Sequence, residues 1–405
     1  MALLNLIINN TEYMTQARNA GVIEAMMAVM HKHASCAAVV ETVCKVLHLL
    51  THDHEESRIH AGNVGVIDAL VAAIVRRGSA ILACLILLSL IHGNMENKAR
   101  ARTAGTVEAV VAIMRRHEGI DDLQERACEI LRDLTSGIEE NMIRAGDAGA
   151  VGVVVAAQLG HTKHLGIQVA ACGALRNLAR RRSTNQVRAG TAGAVEAIVA
   201  AMRNHPGSER LQRRACGVLR NLTHSNEGNV TRARNAGATE AVIMAMPEHM
   251  QSEDMMERAF GVLRNLNTST TNDTSQANNI DSFKAVVLAL RTHDTGSVNV
   301  QHQACVALRN LIGGNASNIE WAGAYAFGAV KVMTFAVTAM RRHSGSSVVQ
   351  ISACAVLYVL TIDNVAHRAC AVQVGAKEAA EAALMTHSGN KKVVREARDL
   401  LTILS

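Results

Sequence analysis

Five pairs of neighbouring residues, recurring at an almost fixed interval, have the types and spacing to do chemistry: Arg132-Asp133, Arg176-Asn177, Arg220-Asn221, Arg264-Asn265 and Arg309-Asn310. An arginine offers a rigid fork of N–H donors that fits a carboxylate or a phosphate, and an asparagine both donates to and accepts from a peptide group. That is the chemistry of recognition. The sequence holds no phosphate loop, no nucleophile elbow and no paired Cys-His signature, so an enzyme is not expected.

Histidine recurs as well, at His33, His117, His161, His205, His249, His293, His343 and His387, eight of the eighteen in the chain. Ligands to one metal ion lie about 2 Å from it, which residues a whole repeat apart cannot satisfy. The expected role is a cation at a helix C-terminus, favoured by the dipole and the last carbonyls. Metal-ligand types crowd together at His48, His52, Asp53, His54, Glu55, Glu56 and His60, but His-Glu-x-x-His is missing and a polar inter-repeat loop accounts for them. Neither a metal nor a cofactor is expected.

The element that must position the pairs is an eleven-residue phrase, Gln168 to Leu178 (QVAACGALRNL). Relatives of it stand at Gln124 to Leu134, Gln212 to Leu222, Met256 to Leu266 and Gln301 to Leu311, with weaker copies around Cys44, Cys84 and Cys354. As a helix it places Ala171, Leu175 and Leu178 on one buried stripe, with Gly173, Arg176 and Asn177 on or near the opposite side. Changing the arginines is therefore expected to leave the fold intact. Ahead of each phrase come a first helix, an Ala-Gly turn and an apolar second helix such as Val107 to Met114, ending near the recurrent histidine. Glycine holds the turn at Gly21, Gly65, Gly105, Gly149, Gly193, Gly237 and Gly375, and Asp281 replaces it once.

These marks divide residues 1–405 into nine units, about 11–50, 51–92, 93–136, 137–180, 181–224, 225–268, 269–312, 313–361 and 362–405, after an orphan helix in Met1 to Asn10. Stacked units share one elongated core, so a single domain is expected. A composition of 49% hydrophobic residues with 2% aromatic and two prolines suits close-packed helices and an all-α fold. Seven of the nine cysteines hold one slot in the phrase. Neighbouring helices stand about 8–10 Å apart, beyond the roughly 7 Å that a disulfide spans, so these read as reduced core thiols of a cytoplasmic or nuclear protein. The net charge of +6, from 41 Lys and Arg against 35 Asp and Glu, is a weak signal for nucleic acid. Ala2 stands where myristoylation needs glycine, no secretory signal is legible, and the longest apolar run, Ala80 to Ile91, is well short of the roughly 20 residues that span a bilayer.

Three helices per unit, the Ala-Gly turn and the closing Gln-x-x-Ala-Cys-x-x-Leu-Arg-Asn-Leu resemble the armadillo repeat over essentially the whole chain. Ala-Cys-Gly-Ala-Leu-Arg-Asn-Leu and Ala-Cys-Gly-Val-Leu-Arg-Asn-Leu are most similar to the catenin, plakophilin and yeast vacuolar armadillo scaffolds. HEAT repeats would lack the separate first helix and its glycine turn. The resemblance implies a right-handed superhelix whose third helices line a concave groove, their asparagines gripping the backbone of an extended peptide. A repeat step of roughly 10 Å matches about three residues of such a peptide. Importin α has tryptophan four residues before the groove asparagine, where this chain has Glu129, Gly173, Gly217, Gly261 and Val306. That departure argues against basic cargo and for acidic or phosphorylated segments.

The sequence thus points to a non-catalytic protein-binding scaffold or adaptor, with protein partners rather than a small-molecule substrate. The alternative is a structural or transport solenoid acting through its ends or through an aromatic patch in the eighth unit: Trp321, Tyr325, Phe327, Phe335 and Tyr358. Nucleic acid comes third. Apolar faces are expected at one or both ends of the stack, with end-to-end association as a consequence.

Overall fold

A computed structural model describes residues 11–52, 54–75, 80–249, 251–266, 286–287, 297–312 and 326–405. They hold 24 helices, and no strand is present among the described residues. The helices fall into two bodies, Met1–Asn204 and His205–Ser405.

The first body runs α1 (Thr11–Asn19), α2 (Val22–Lys32), α3 (Ala37–Thr51), α4 (Glu55–Asn63), α5 (Val66–Val75), α6 (Ala80–Ile91), α7 (Met95–Thr103), α8 (Thr106–Arg116), α9 (Asp121–Thr135), α10 (Glu139–Asp147), α11 (Ala150–Gly160), α12 (Leu165–Leu178), α13 (Ser183–Thr191) and α14 (Ala194–Asn204). The second runs α15 (Glu209–Thr223), α16 (Glu227–Asn235), α17 (Ala238–Glu248), α18 (Glu253–Leu266), α19 (Val298–Ile312), α20 (Ala326–Arg342), α21 (Ser347–Thr361), α22 (Val365–Gln373), α23 (Ala376–Thr386) and α24 (Lys391–Leu404). The rhythm is short, medium, long. The phrase forms the long closing helices, and these pack on one another in order: α3 on α6, α6 on α9, α9 on α12, and separately α15 on α18, α18 on α19, α19 on α21 and α21 on α24.

Each joint within a unit is made by residues the sequence displays periodically. The turn between first and second helices needs a left-handed backbone, as at Gly105 (φ 74°) and Gly149 (φ 87°), which glycine adopts without a side-chain clash. After the 11 residues that follow each of these glycines the second helix ends, and the phrase glutamine turns back to close it. Gln124 Nε2 donates to the Met114 and His117 carbonyls, both at 2.9 Å, and Gln350 does the same to Met340 (2.8 Å) and His343 (3.0 Å). The closing helix is itself capped by a buried asparagine of the next first helix. Asn97, Asn141, Asn185 and Asn229 donate to the carbonyls of Leu90, Leu134, Leu178 and Leu222 at 2.7–3.0 Å. Helix ends buried without such partners would be costly, so these amides are part of the fold's framework.

Some expectations change. Gly173 is buried with the apolar stripe instead of facing outward, because the neighbouring closing helix covers that side. The described recurrent histidines do sit at the ends of second helices, and three of their rings reach the preceding repeat. His161 Nε2 donates to the Glu118 carbonyl at 2.6 Å, His249 Nε2 to Pro206 at 2.8 Å and His387 Nε2 to Ser344 at 2.7 Å. In these three the ring is an inter-repeat strut. The outer side of α24 carries exposed Lys391, Lys392, Arg395, Arg398, Asp399 and Thr402, so of the two ends where an apolar face is expected at one or both, this one presents a charged face. Met1 to Asn10, Asp281, His293 and Asp53 lie outside the described residues. In the eighth unit α20 is 17 residues long, where the other second helices among the described residues have 10 or 11. Among the described residues no single helix is long and apolar enough to cross a membrane.

Candidate functional site on the closing helices

The closing helices bury their Ala and Leu stripes and leave one side partly open to solvent. All five arginine positions fall on this side. Arg132, Arg176, Arg220 and Arg264 are half-buried, and Arg309 is exposed. Asn177, Asn221 and Asn310 are half-buried as well, while Asp133 and Asn265 are buried.

In the first body the face changes character from helix to helix. On α6 it is apolar, with Ile81, Leu82, Leu85 and Leu88 half-buried. On α9 it is a chain of charges. Arg126 Nη1 bonds Glu129 at 2.7 Å, Arg132 Nη1 stands 3.8 Å from Glu129, and Arg132 Nε bonds Asp133 at 2.8 Å. The other Asp133 oxygen takes the Nδ1–H of His92, at 2.8 Å, from the end of α6. Asp133 cannot donate as an asparagine would, and the Leu88 carbonyl accepts the His92 backbone N–H instead, at 3.0 Å.

The asparagines that do follow the pattern are used within the chain. Asn177 Nδ2 donates to the Arg132 carbonyl at 2.8 Å, Asn265 Nδ2 to Arg220 at 2.9 Å and Asn310 Nδ2 to Arg264 at 3.3 Å. Asn265 also donates to Thr223 Oγ1 at 3.1 Å and is only 6% exposed. Each asparagine therefore ties its closing helix to the carbonyl one repeat back. Where a grip on a partner's backbone is expected, the structure shows a staple between repeats.

The arginines are engaged too. The stem of Arg220 crosses from α15 onto α18 and lies over Gly261, where a Cβ would come 2.7 Å from Arg220 Cδ, and its Nη1 reaches Glu257 at 3.1 Å. This explains glycine at a position where importin α has tryptophan: the arginine of the preceding repeat occupies the space. Arg264 crosses from α18 to α19 in the same manner. Its Nη1 bonds Gln303 Oε1 at 2.9 Å, and its Nε and Nη2 bond Asn265 Oδ1 at 3.3 and 3.1 Å. Burial, added to by the charge of Arg220, lowers the pKa of Arg264. Burial also lowers the pKa of His302 on α19, with the Val348 carbonyl opposing and the charge of Arg264 adding to the fall. Asp254 holds Arg213 at 3.0 Å and Arg258 at 2.6 Å. Burial alone would raise the Asp254 carboxyl, but the two guanidiniums keep it below its ordinary value. Reversing Arg220 to an acid would set two carboxylates together at Glu257, so the expectation that these changes leave the fold untouched does not hold for that residue.

The aromatic patch is only partly placed. Trp321, Tyr325 and the side chain of Phe327 lie outside the described residues. Phe335 is buried in α20, 6% exposed, and Tyr358 is half-buried in the arginine slot of α21. In the histidine-rich link, His54 caps α4 through the Ser57 N–H at 3.1 Å and His60 pairs with Glu24 at 2.6 Å. Among the described residues no group of three or more His, Cys, Asp or Glu is placed to hold a metal ion. Sequence reasoning missed Gln303, His302 and the seat at Gly261. Only the repeat alignment, which puts Gly261 next to Arg220 one unit back, carried a trace of them.

A stack of three-helix units closed by a packed row of long helices defines an all-helical repeat solenoid. Its family signature is recognised over residues 187–383, which match the family described as LRRK2 ARM repeat. An engineered protein of known structure superposes with a TM-score of 0.78 at 20% identity, over 100% of this chain and 93% of its own. A chain from a study of a phosphorylation switch controlling the interaction between cadherin and β-catenin superposes with a TM-score of 0.76 at 18% identity, over 99% of this chain and 78% of its own. A second engineered protein gives 0.52 at 20% identity over 60% of this chain and 96% of its own. No curated protein matches the sequence. The match and the superpositions support an armadillo-type repeat in residues 187–383 and a helical repeat solenoid fold for the chain. The fold is compatible with a protein-binding scaffold and is generally non-catalytic.

Proposed function

We propose that the protein is a non-catalytic scaffold or adaptor that holds an extended, acidic segment of a partner protein across the open face of its closing helices. The observation that carries this reading is the charge of that face in the second body. On α15, α18 and α19, Arg213, Arg220, Arg258, Arg264 and Arg309 share two carboxylate partners, Asp254 and Glu257. Such an excess of fixed guanidinium draws an anionic segment and is costly to hold without one. Recognition would rest on the arginines, since the asparagine amides already tie the repeats together. In the first body, the half-buried leucines and Ile81 of α6 would favour apolar residues in a bound segment. Nine free cysteines, seven of them buried, support a reducing compartment such as cytoplasm or nucleus.

The test is fluorescence anisotropy of the intact chain with labelled extended peptides rich in Glu and Asp, against basic peptides and duplex DNA at one ionic strength. Acidic peptides should bind at least about tenfold more tightly than either, and Arg309→Glu, a change at an exposed side chain, should weaken them by a similar factor. Equal binding of acidic and basic peptides, or preference for DNA, would sink the proposal.

A further inference from the structure

Arg264 differs from the arginines around it. Arg213 and Arg258 have Asp254, Arg220 has Glu257, and on α9 Arg132 is neutralised by Asp133 with Glu129 close by. Among the described residues, the three hydrogen bonds of Arg264 go to neutral amide oxygens, of Asn265 and Gln303. A guanidinium has five N–H donors, so two remain. The side chain is half-buried, and both charged neighbours that act on it or feel it, Arg220 and His302, are basic groups. A partly desolvated charge held by amide dipoles alone among the described residues is more favourable once a counter-charge arrives, and this makes the position suited to an anion.

We propose that Arg264, with Arg220 and His302 beside it, seats a dianionic phosphoryl group carried by the partner's extended segment. The proposal rests on the reading of this face as a partner-binding surface and names the chemistry it would read. A phosphoryl group brings a charge of roughly −1.5 to −2 and three acceptor oxygens, enough to offset two guanidiniums where a carboxylate offsets one. The remaining Arg264 donors supply a bidentate contact. Arg220 bonds Glu257 through Nη1, its stem lies over Gly261, and a guanidinium has four donors besides that one. His302, whose Nδ1 faces the Val348 carbonyl at 3.2 Å and Ser352 Oγ at 3.3 Å, is the reporter. Its ring titrates in the field of Arg264 and would feel a dianion placed there.

The probe is N-acetyl-O-phosphoserine amide, added to the intact chain at fixed ionic strength while the His302 ring is followed by NMR, its signals assigned with His302→Gln. N-acetyl-aspartate amide is the matched carboxylate. Saturable movement of the His302 signals is expected, with the phosphoserine compound binding about tenfold more tightly than the aspartate compound. Arg264→Gln should abolish the response, Arg264→Lys should retain only part of it, and Arg398→Gln, on the exposed side of α24, should leave it within about twofold. Circular dichroism of each variant checks the fold. Should Arg264→Gln lose helix, Arg220→Gln takes its place and should weaken the response severalfold. The seat is overturned by an unchanged response in folded Arg264→Gln or Arg220→Gln, by equal affinity for the two probes, or by movement that follows ionic strength alone. Because the probe is one blocked residue, a null result removes the seat and leaves the scaffold reading to its peptide assay. Failure of every peptide there would leave a saturable, Arg264-dependent probe response standing.

Discussion

Asn185 and Gly146 meet where α13 packs on α10, and the contact can be weighed. Asn185 is buried, and its Nδ2 donates to the Leu178 carbonyl at 3.0 Å, closing α12, and to the Met142 carbonyl at 3.3 Å. A Cβ on Gly146 would overlap Asn185 Oδ1. Asn185→Ala strands the buried Leu178 carbonyl, a loss of about 1–3 kcal/mol, with a smaller addition from the longer bond, so about 2–3 kcal/mol in all. Gly146→Ala forces Asn185 to shift, at about 1–3 kcal/mol, offset by up to about 1 kcal/mol of helix propensity. In the Asn185→Ala background the overlap is gone. There Gly146→Ala should stabilise by about 1 kcal/mol, a reversal of sign, and the coupling between the sites should be about 1–3 kcal/mol. Urea unfolding followed by circular dichroism reads this as midpoint shifts at constant m, taking the earliest transition if the repeats melt in stages. If Gly146→Ala costs the same in both backgrounds, the inter-repeat staple is not what these residues make.

Other outcomes follow from burial and charge. Burial pushes the thiols of Cys44, Cys84, Cys305 and Cys354 up to about 12, while Cys36 is exposed. Iodoacetamide at pH 8 should therefore label Cys36 first and the four core thiols only on unfolding, as mass spectrometry would show; equal labelling in the native chain would contradict the packing. His302 has a folded pKa below its ordinary value, so the stability it contributes in the neutral form is full above about pH 6.5 and is lost as the pH falls below that. Arg264→Gln removes a nearby positive charge and should raise the His302 pKa, and an NMR titration showing no rise would count against their proximity. Asp254 follows the same direction in a more acidic window: it stabilises above the usual carboxylate range and loses that contribution as the pH falls through it. Arg258→Gln should narrow the acid-side loss in thermal melts. Asp133→Asn restores the donor that the other repeats have. It gives up the bonds from Arg132 and His92, and should change stability by less than about 1 kcal/mol, because His92 is 72% exposed and its pair is well screened.

Local features were legible in the sequence. Period, helix content, the glycine turns, the buried cysteine slot and the face that bears the arginines all depend on contacts within a turn or two of helix, which the order of residues encodes directly. The phrase marks Arg220, Gly261, Arg264 and Asn265 as positions on that face. What each one touches depends on how one repeat is set against the next. The step between closing helices brings residues about one unit apart within reach: Asn265 to the Arg220 carbonyl, Arg264 to Gln303 and His161 to Glu118. A shift of a few ångströms in that step would instead leave the asparagines free for a partner and put Arg264 in solvent. Hydrogen bonds act only within about 3 Å, so the same motif reads as a peptide grip in sequence and as a staple in space. Tertiary packing, not periodicity, decided that Arg220 and Arg132 meet carboxylates while Arg264 meets only amides.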